Sequence, residues 1–144
     1  MSNLNIKENN HFNLLKENIK TEEINGFGNI FINCCNIYPK KKLYNLYLQY
    51  IVKNINQAIE ISNNNNNNQF IVHINLKNVK LKNFSYSFVK FLNNELSSNP
   101  LFVDKLKTAN FYYKDIITKN FFDFIYNIID KDTRPKFNLI FIEK

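Results

Sequence analysis

Residues Gln69–Val79 read QFIVHINLKNV, and this stretch decides the fold. Phe70, Val72, Ile74 and Leu76 place four apolar side chains on one face of an extended chain, while Ile71, His73, Asn75 and Lys77 alternate on the other. That period of two predicts a strand with one face in a core. Six consecutive asparagines, Asn63 to Asn68, stand directly before it. Asparagine tolerates left-handed backbone and competes for backbone hydrogen bonds, so such a run belongs where a helix ends and a loop begins. The run, with Gln69, reads as a tolerated loop expansion over 63–69.

On the N-terminal side the period changes. Between about Lys41 and Ser62, Leu48, Ile51, Val52, Ile55, Ala58 and Ile59 recur at helical spacing. Before that helix, GFGNIFINCCNIY (Gly26–Tyr38) predicts a turn and then a strand, with Ile30, Ile32 and Cys34 on one face and Pro39 as the stop. On the C-terminal side, Phe84, Phe88, Phe91, Leu92 and Leu96 mark a second amphipathic helix, which SSNP terminates because the residue before proline resists helix. LKTANFYY then predicts a third strand. Thr118 is a candidate cap for a helix striped by Phe121, Phe124, Ile125, Ile128 and Ile129. KDTRPK breaks that helix and FNLIFI is a terminal strand. Residues 1–25 are polar, with Phe12, Leu15 and Ile19 at helical spacing, and predict a short N-terminal helix. The expected fold is one α/β domain over 26–144. It has a mainly parallel four-stranded sheet in the order β-α-β-α-β-α-β, with helices packed on it, after the short helix.

Composition narrows the function classes. The chain has 144 residues, 44% of them hydrophobic and 15% aromatic, enough for a core without disulfides or metals. Asn, Ile, Lys, Phe and Tyr dominate, and Arg134 is the only arginine. These residues share A/T-rich codons, so the bias points to an AT-rich genome, such as that of a protist or a large DNA virus. Net charge is +7, which raises nucleic acid as a partner. The lysines are spread along the chain, however, and arginine, the better bidentate reader of phosphate and guanine, is nearly missing. No apolar run approaches the ~20 residues of a membrane span, and the N-terminus lacks the apolar core of a signal peptide. A cytoplasmic protein is expected (host cytoplasm if viral), with its oligomeric state left open.

A search for chemistry returns surface features. The glycines of GFG precede the first strand instead of following it, the wrong place for a phosphate-cradling loop. His11 and His73 lie far apart in sequence, and no CxxC or HxxxH spacing exists. His73 reads as a packing or surface histidine. Cys34 and Cys35, on opposite faces of a strand, read as one core residue and one outer residue. Asp130 and Asp132 stand beside Lys131, Arg134 and Lys136 in a solvated turn. No catalytic group, cofactor site or metal site is predicted. The densest basic groups are Lys40, Lys41 and Lys42, and Lys77, Lys80 and Lys82, which are candidates for contact with an anionic surface or for a solvated rim.

The order and spacing of these elements resemble the CRAL-TRIO family, the lipid-carrier fold of phosphatidylinositol-transfer and tocopherol-transfer proteins. The family's strand pattern hhhhDhpGh is matched by FIVHINLKNV, with Asn75 at the aspartate and Asn78 at the glycine. NPLFVDKL echoes its YP-x-x-L turn. TANFYYKD keeps Asn110 of its N-x-P element without the proline. IYNIIDKDTRPKFNLIFI is similar to its closing helix and strand, with Asp132, Thr133 and Lys136 in register. The likeness covers about 120 residues from Gly26. A STAS-like domain, a similar small α/β sheet used in protein binding, is the competing resemblance.

In the lipid carriers the chain runs on past the last strand into a helix that closes the ligand pocket, and here the sequence stops at Lys144. The resemblance therefore implies the sheet and its helices more firmly than lipid enclosure. The leading expectation is a non-enzymatic module that binds a protein or a membrane surface. The alternatives are a carrier of a hydrophobic ligand and a basic nucleic-acid-binding protein.

Overall fold

A computed structural model describes residues 12–83 and 85–142. Residues 12–18 form helix α1, and the part of the expected N-terminal helix before residue 12 lies outside the described residues. The chain continues through β1 (Ile19–Ile24), β2 (Phe27–Asn33), α2 (Tyr44–Asn64), β3 (Phe70–Asn75), α3 (Tyr86–Ser97), α4 (Pro100–Lys105), β4 (Leu106–Tyr113), α5 (Ile116–Ile128) and β5 (Phe137–Phe141). The strands form one sheet in the order β1-β2-β3-β4-β5.

This corrects the expected four-stranded, mainly parallel sheet on two counts. The sheet has five strands, and it is mixed: β1 runs antiparallel to β2, while β2 to β5 are parallel. The added strand comes from IKTEEI, a polar stretch that belongs at a sheet edge, where only one neighbour must be satisfied. Its cause is the dipeptide Asn25-Gly26. Both residues have positive φ, 54° and 83°, as a two-residue hairpin loop with the twist of its flanking strands requires. Ile24 and Phe27 pair directly across it.

The crossover helices lie on one side of the sheet. α2 packs on β1 and β2, so closely that a Cβ on Gly28 would fall 2.0 Å from the Ala58 carbonyl oxygen. Its buried residues, Tyr47, Tyr50, Asn54, Ile55, Ala58 and Ser62, follow the 3.6-residue period. The asparagine run has a structural part to play. Asn66, at φ 63°, ends α2 in the left-handed conformation. The Asn67 amide donates to the Ser62 carbonyl and the Asn66 amide to that of Asn63, the paired bonds of a Schellman cap with asparagine in the usual glycine position. Asn67 Nδ2 also donates to the Gly26 carbonyl at 2.8 Å, tying the helix end to the hairpin.

Two smaller expectations shift. Thr118 is the third residue of α5 and not its cap. Asp115 caps the helix, accepting from the Thr118 amide at 2.9 Å, in a reciprocal capping box. NPLFVDKL, expected as a turn, contains the short helix α4, with Pro100 at its first position.

Candidate functional site

The helix-covered side of the sheet is not filled. α2 lies over β1 and β2, and α5 contacts β4, but α3 makes its main contacts with α2, α4 and α5 and not with the strand beneath it. A partly open cavity of about 280 Å³ remains between them. Its floor is formed by Ile30, Val72, Ile74 and Phe111, and its walls by Ile51 and Ile55 of α2 and Phe88 and Leu92 of α3. Asn83, Ser85, Asn93, Ser97, Asp130 and Thr133 supply the few polar lining groups. Two buried clusters flank the space, one centred on Tyr47 and Ile30 and the other on Phe111 and Phe122, with Val72 and Leu106 packed against both.

Cys34 lines this cavity. It lies in a 3-10 turn, Cys34–Asn36, beyond the end of β2, and not on a strand as expected. Burial, and secondarily the neighbouring Cys35, push its thiol up to about 12. It therefore stays protonated and is a poor nucleophile.

The other face of the sheet carries a polar ladder. His73 Nε2 lies 2.8 Å from Asn29 Oδ1, and His73 Nδ1 lies 2.8 Å from the Tyr112 hydroxyl. Asn29 Nδ2 donates to the Phe27 carbonyl, which turns its oxygen toward the histidine. The ring therefore donates from Nε2, and the tyrosine donates to Nδ1. Phe31 stacks on the imidazole, with ring centroids 4.6 Å apart. Burial lowers the pKa of His73, so the neutral ring that this network satisfies is the favoured one. Next to it, Asn138 donates to Asn110 Oδ1 at 3.0 Å. The expectation of a packing histidine thus has its geometry, although its partners lie 44 and 39 residues away in sequence. Among the described residues no group of three or more His, Cys, Asp or Glu could hold a metal ion.

The two lysine groups come together. Because β2 and β3 are parallel, their following loops leave the same edge of the sheet. Asn83 Nδ2 joins these loops by donating to the carbonyls of Cys35 and Ile37, both at 2.9 Å. Lys82 lies 5.2 Å from the centre of the Tyr38 ring, next to Pro39 and Lys40–Lys42. Lys40, Lys41, Lys42, Lys80 and Lys82 are exposed, and Lys77 is half-buried.

Residues 15–142 match the family model for the CRAL/TRIO domain. The chain belongs to the CRAL/TRIO family. Membership agrees with the resemblance read from the sequence. No curated protein sequence matches it. Among solved structures, the crystal structure of Sfh5 shares the fold with a TM-score of 0.61 at 17% identity. That likeness covers 90% of this chain and 49% of Sfh5, so the chain spans about half the length of that protein.

Several of the positions singled out by the sequence resemblance have local tasks here. Asn75 Oδ1 accepts from the Lys77 amide at 2.9 Å, closing the turn that leaves β3. Asn78 adopts φ 63°, a left-handed position that glycine takes at no steric cost and asparagine tolerates. Asn110 accepts from Asn138 on the face opposite the crossover helices. Thr133 Oγ1 donates to Asp130 at 3.0 Å, beside the exposed Asp132. Lys136 Nζ donates to the Val103 carbonyl, linking α4 to the approach to β5. Arg134 Nε donates to the Ile129 carbonyl at 2.8 Å, at the end of α5. No helix among the described residues is long and apolar enough to cross a membrane.

Proposed function

We propose that this CRAL/TRIO domain binds a hydrophobic ligand, a lipid acyl or isoprenoid chain, in the cavity beneath α3. The cavity itself carries this reading. Its volume of about 280 Å³ is close to the lower end of small-molecule pockets, about 300 Å³. Its lining is almost wholly aliphatic and aromatic. An apolar space of this kind offers water few hydrogen bonds and takes apolar guests instead. The handful of polar groups at Asn83, Ser85, Asn93 and Thr133 suits a ligand with one polar end. The lipid-carrier character of the family supports the same reading, which replaces a module acting only through its surface as the favoured one.

Native mass spectrometry of the purified chain tests this directly. The expected result is a population heavier than the bare chain that loses a lipid on activation. Leu92→Trp should fill the space and return the mass to that of the chain while preserving the circular dichroism spectrum. A bare mass in every preparation, together with no uptake of a fluorescent fatty acid, would sink the proposal.

A further inference from the structure

We propose that the edge of the sheet formed by the carboxyl ends of β2, β3 and β4 docks on an anionic lipid bilayer. Parallel strands deliver three successive loops to this edge. Adjacent strands are about 4.8 Å apart, so the three loops start within roughly 10 Å of one another. The first two bring Lys40, Lys41, Lys42, Lys77, Lys80 and Lys82 together. The third adds the exposed Lys114. Its carboxylate, Asp115, is occupied in capping α5. Of the acidic groups, Glu23, Glu60 and Asp104 sit toward the other edge, at the end of β1, the end of α2 and the helix leading into β4, whereas Glu17, at the end of α1, stands at this edge beside Asn33 and Asn75 and leaves the lysines in excess there.

Apolar groups stand within this basic rim. Ile116 and Ile117, the first residues of α5, are 77% and 65% exposed, the most exposed large hydrophobic side chains described. Tyr86, 54% exposed, opens α3 after the β3 loop and packs edge-on against Phe124 of α5, about two helical turns behind Ile116. Aliphatic side chains that enter the acyl boundary, an amphipathic ring at headgroup level and lysines facing anionic headgroups make the combination that holds a protein on a bilayer. Nucleic acid fits less well, because the edge has no arginine to fork onto phosphate or guanine and its most exposed apolar groups are aliphatic rather than stacking rings. Docking of this kind does not require the cavity to be filled.

Cosedimentation of the full chain with vesicles of phosphatidylcholine alone, or mixed with phosphatidylserine, tests the proposal. Binding is expected only to the mixed vesicles and should weaken as salt is raised. Each of Lys40→Gln, Lys41→Gln and Lys42→Gln should lower affinity by roughly fivefold. The pair Ile116→Asp and Ile117→Asp should lower it by about a hundredfold or more. These side chains are exposed, so an unchanged thermal melt should accompany the losses. Equal binding to neutral vesicles, indifference to salt, or full binding by the isoleucine pair would overturn the proposal. Release from the vesicles by a nucleic-acid competitor at matched charge would overturn it too. Ligand retention is read without vesicles, so failure of one proposal is distinguishable from failure of the other.

Discussion

Strand β3 divides two regions that are filled in different ways. On the helix side, Phe70, Val72 and Ile74 face apolar neighbours across a gap of about 280 Å³. On the opposite side, His73 has both ring nitrogens partnered at 2.8 Å and a ring stacked on it. The physical difference is directionality. A half-buried polar atom without a partner costs about 1–3 kcal/mol, so polar side chains are drawn into short, complete contacts. Apolar attraction has no preferred direction and falls away gradually, so a helix held by its neighbours can stand off from the strand below it. The wetter face of this sheet is therefore the more closely specified one, and the greasier face keeps room for a guest.

The sharpest way to break this contrast is to truncate side chains in and around the gap. Phe111 is fully buried and packs on the rings of Phe122 and Phe137, at centroid distances of 5.1 and 4.9 Å. Phe111→Ala should cost about 3–5 kcal/mol in a urea titration. Leu92 is only half-buried and already faces the cavity, so it has fewer contacts to lose. Leu92→Ala should cost under about 2 kcal/mol in the ligand-free protein. Equal losses would mean that the gap closes in solution.

A smaller effect should come from the opposite face. The pKa of His73 is lowered by burial, so its native value lies below the unfolded value of about 6.5. The unfolded chain then binds more protons in that window, and stability rises with pH there. The contribution is complete above about pH 6.5 and is lost as the pH falls through the native value. The groups nearest the ring are Asn29, Phe31 and Tyr112, with Glu17 and Lys20 lining the same depression. The urea midpoint should therefore fall between about pH 7.5 and about pH 5.5, and His73→Gln should flatten that fall. An identical slope in the variant would assign the proton uptake to another group.

Much of this was legible in the sequence where a pattern is local. The alternation of Phe70 to Leu76 placed β3 and its two faces, and the helical period placed α2 to within a few residues. β1 was missed because KTEEI has no apolar alternation, although the Asn25-Gly26 dipeptide that makes its hairpin was present to be read. The Schellman cap was hidden because six identical asparagines do not reveal which of them turns left-handed. The polar ladder and the cavity could not be reached from sequence at all. Periodicity says which side of a strand is apolar, but not which residues on other strands meet it or whether facing side chains touch. The lysine edge was half legible: the two groups could be named, but only parallel pairing of β2 and β3 brings them together.

The last test bears on the end of β3, where both faces give way to a turn and packing no longer contributes. Asn78 is exposed and sits at φ 63°, where the sequence resemblance leads one to expect glycine. Glycine would remove the steric cost of this conformation, but it would also raise the entropy of the unfolded chain. The two effects oppose each other, so Asn78→Gly should change stability by no more than about 0.5 kcal/mol. Asn78→Ala keeps a Cβ and loses the polar side chain that helps asparagine settle in the left-handed region, so it should cost about 1 kcal/mol. If alanine were tolerated as well as glycine, backbone conformation would not be what the pattern selects at this position. The gap between the two variants thus measures the turn requirement at this position, where the left-handed backbone is the feature the structure shows.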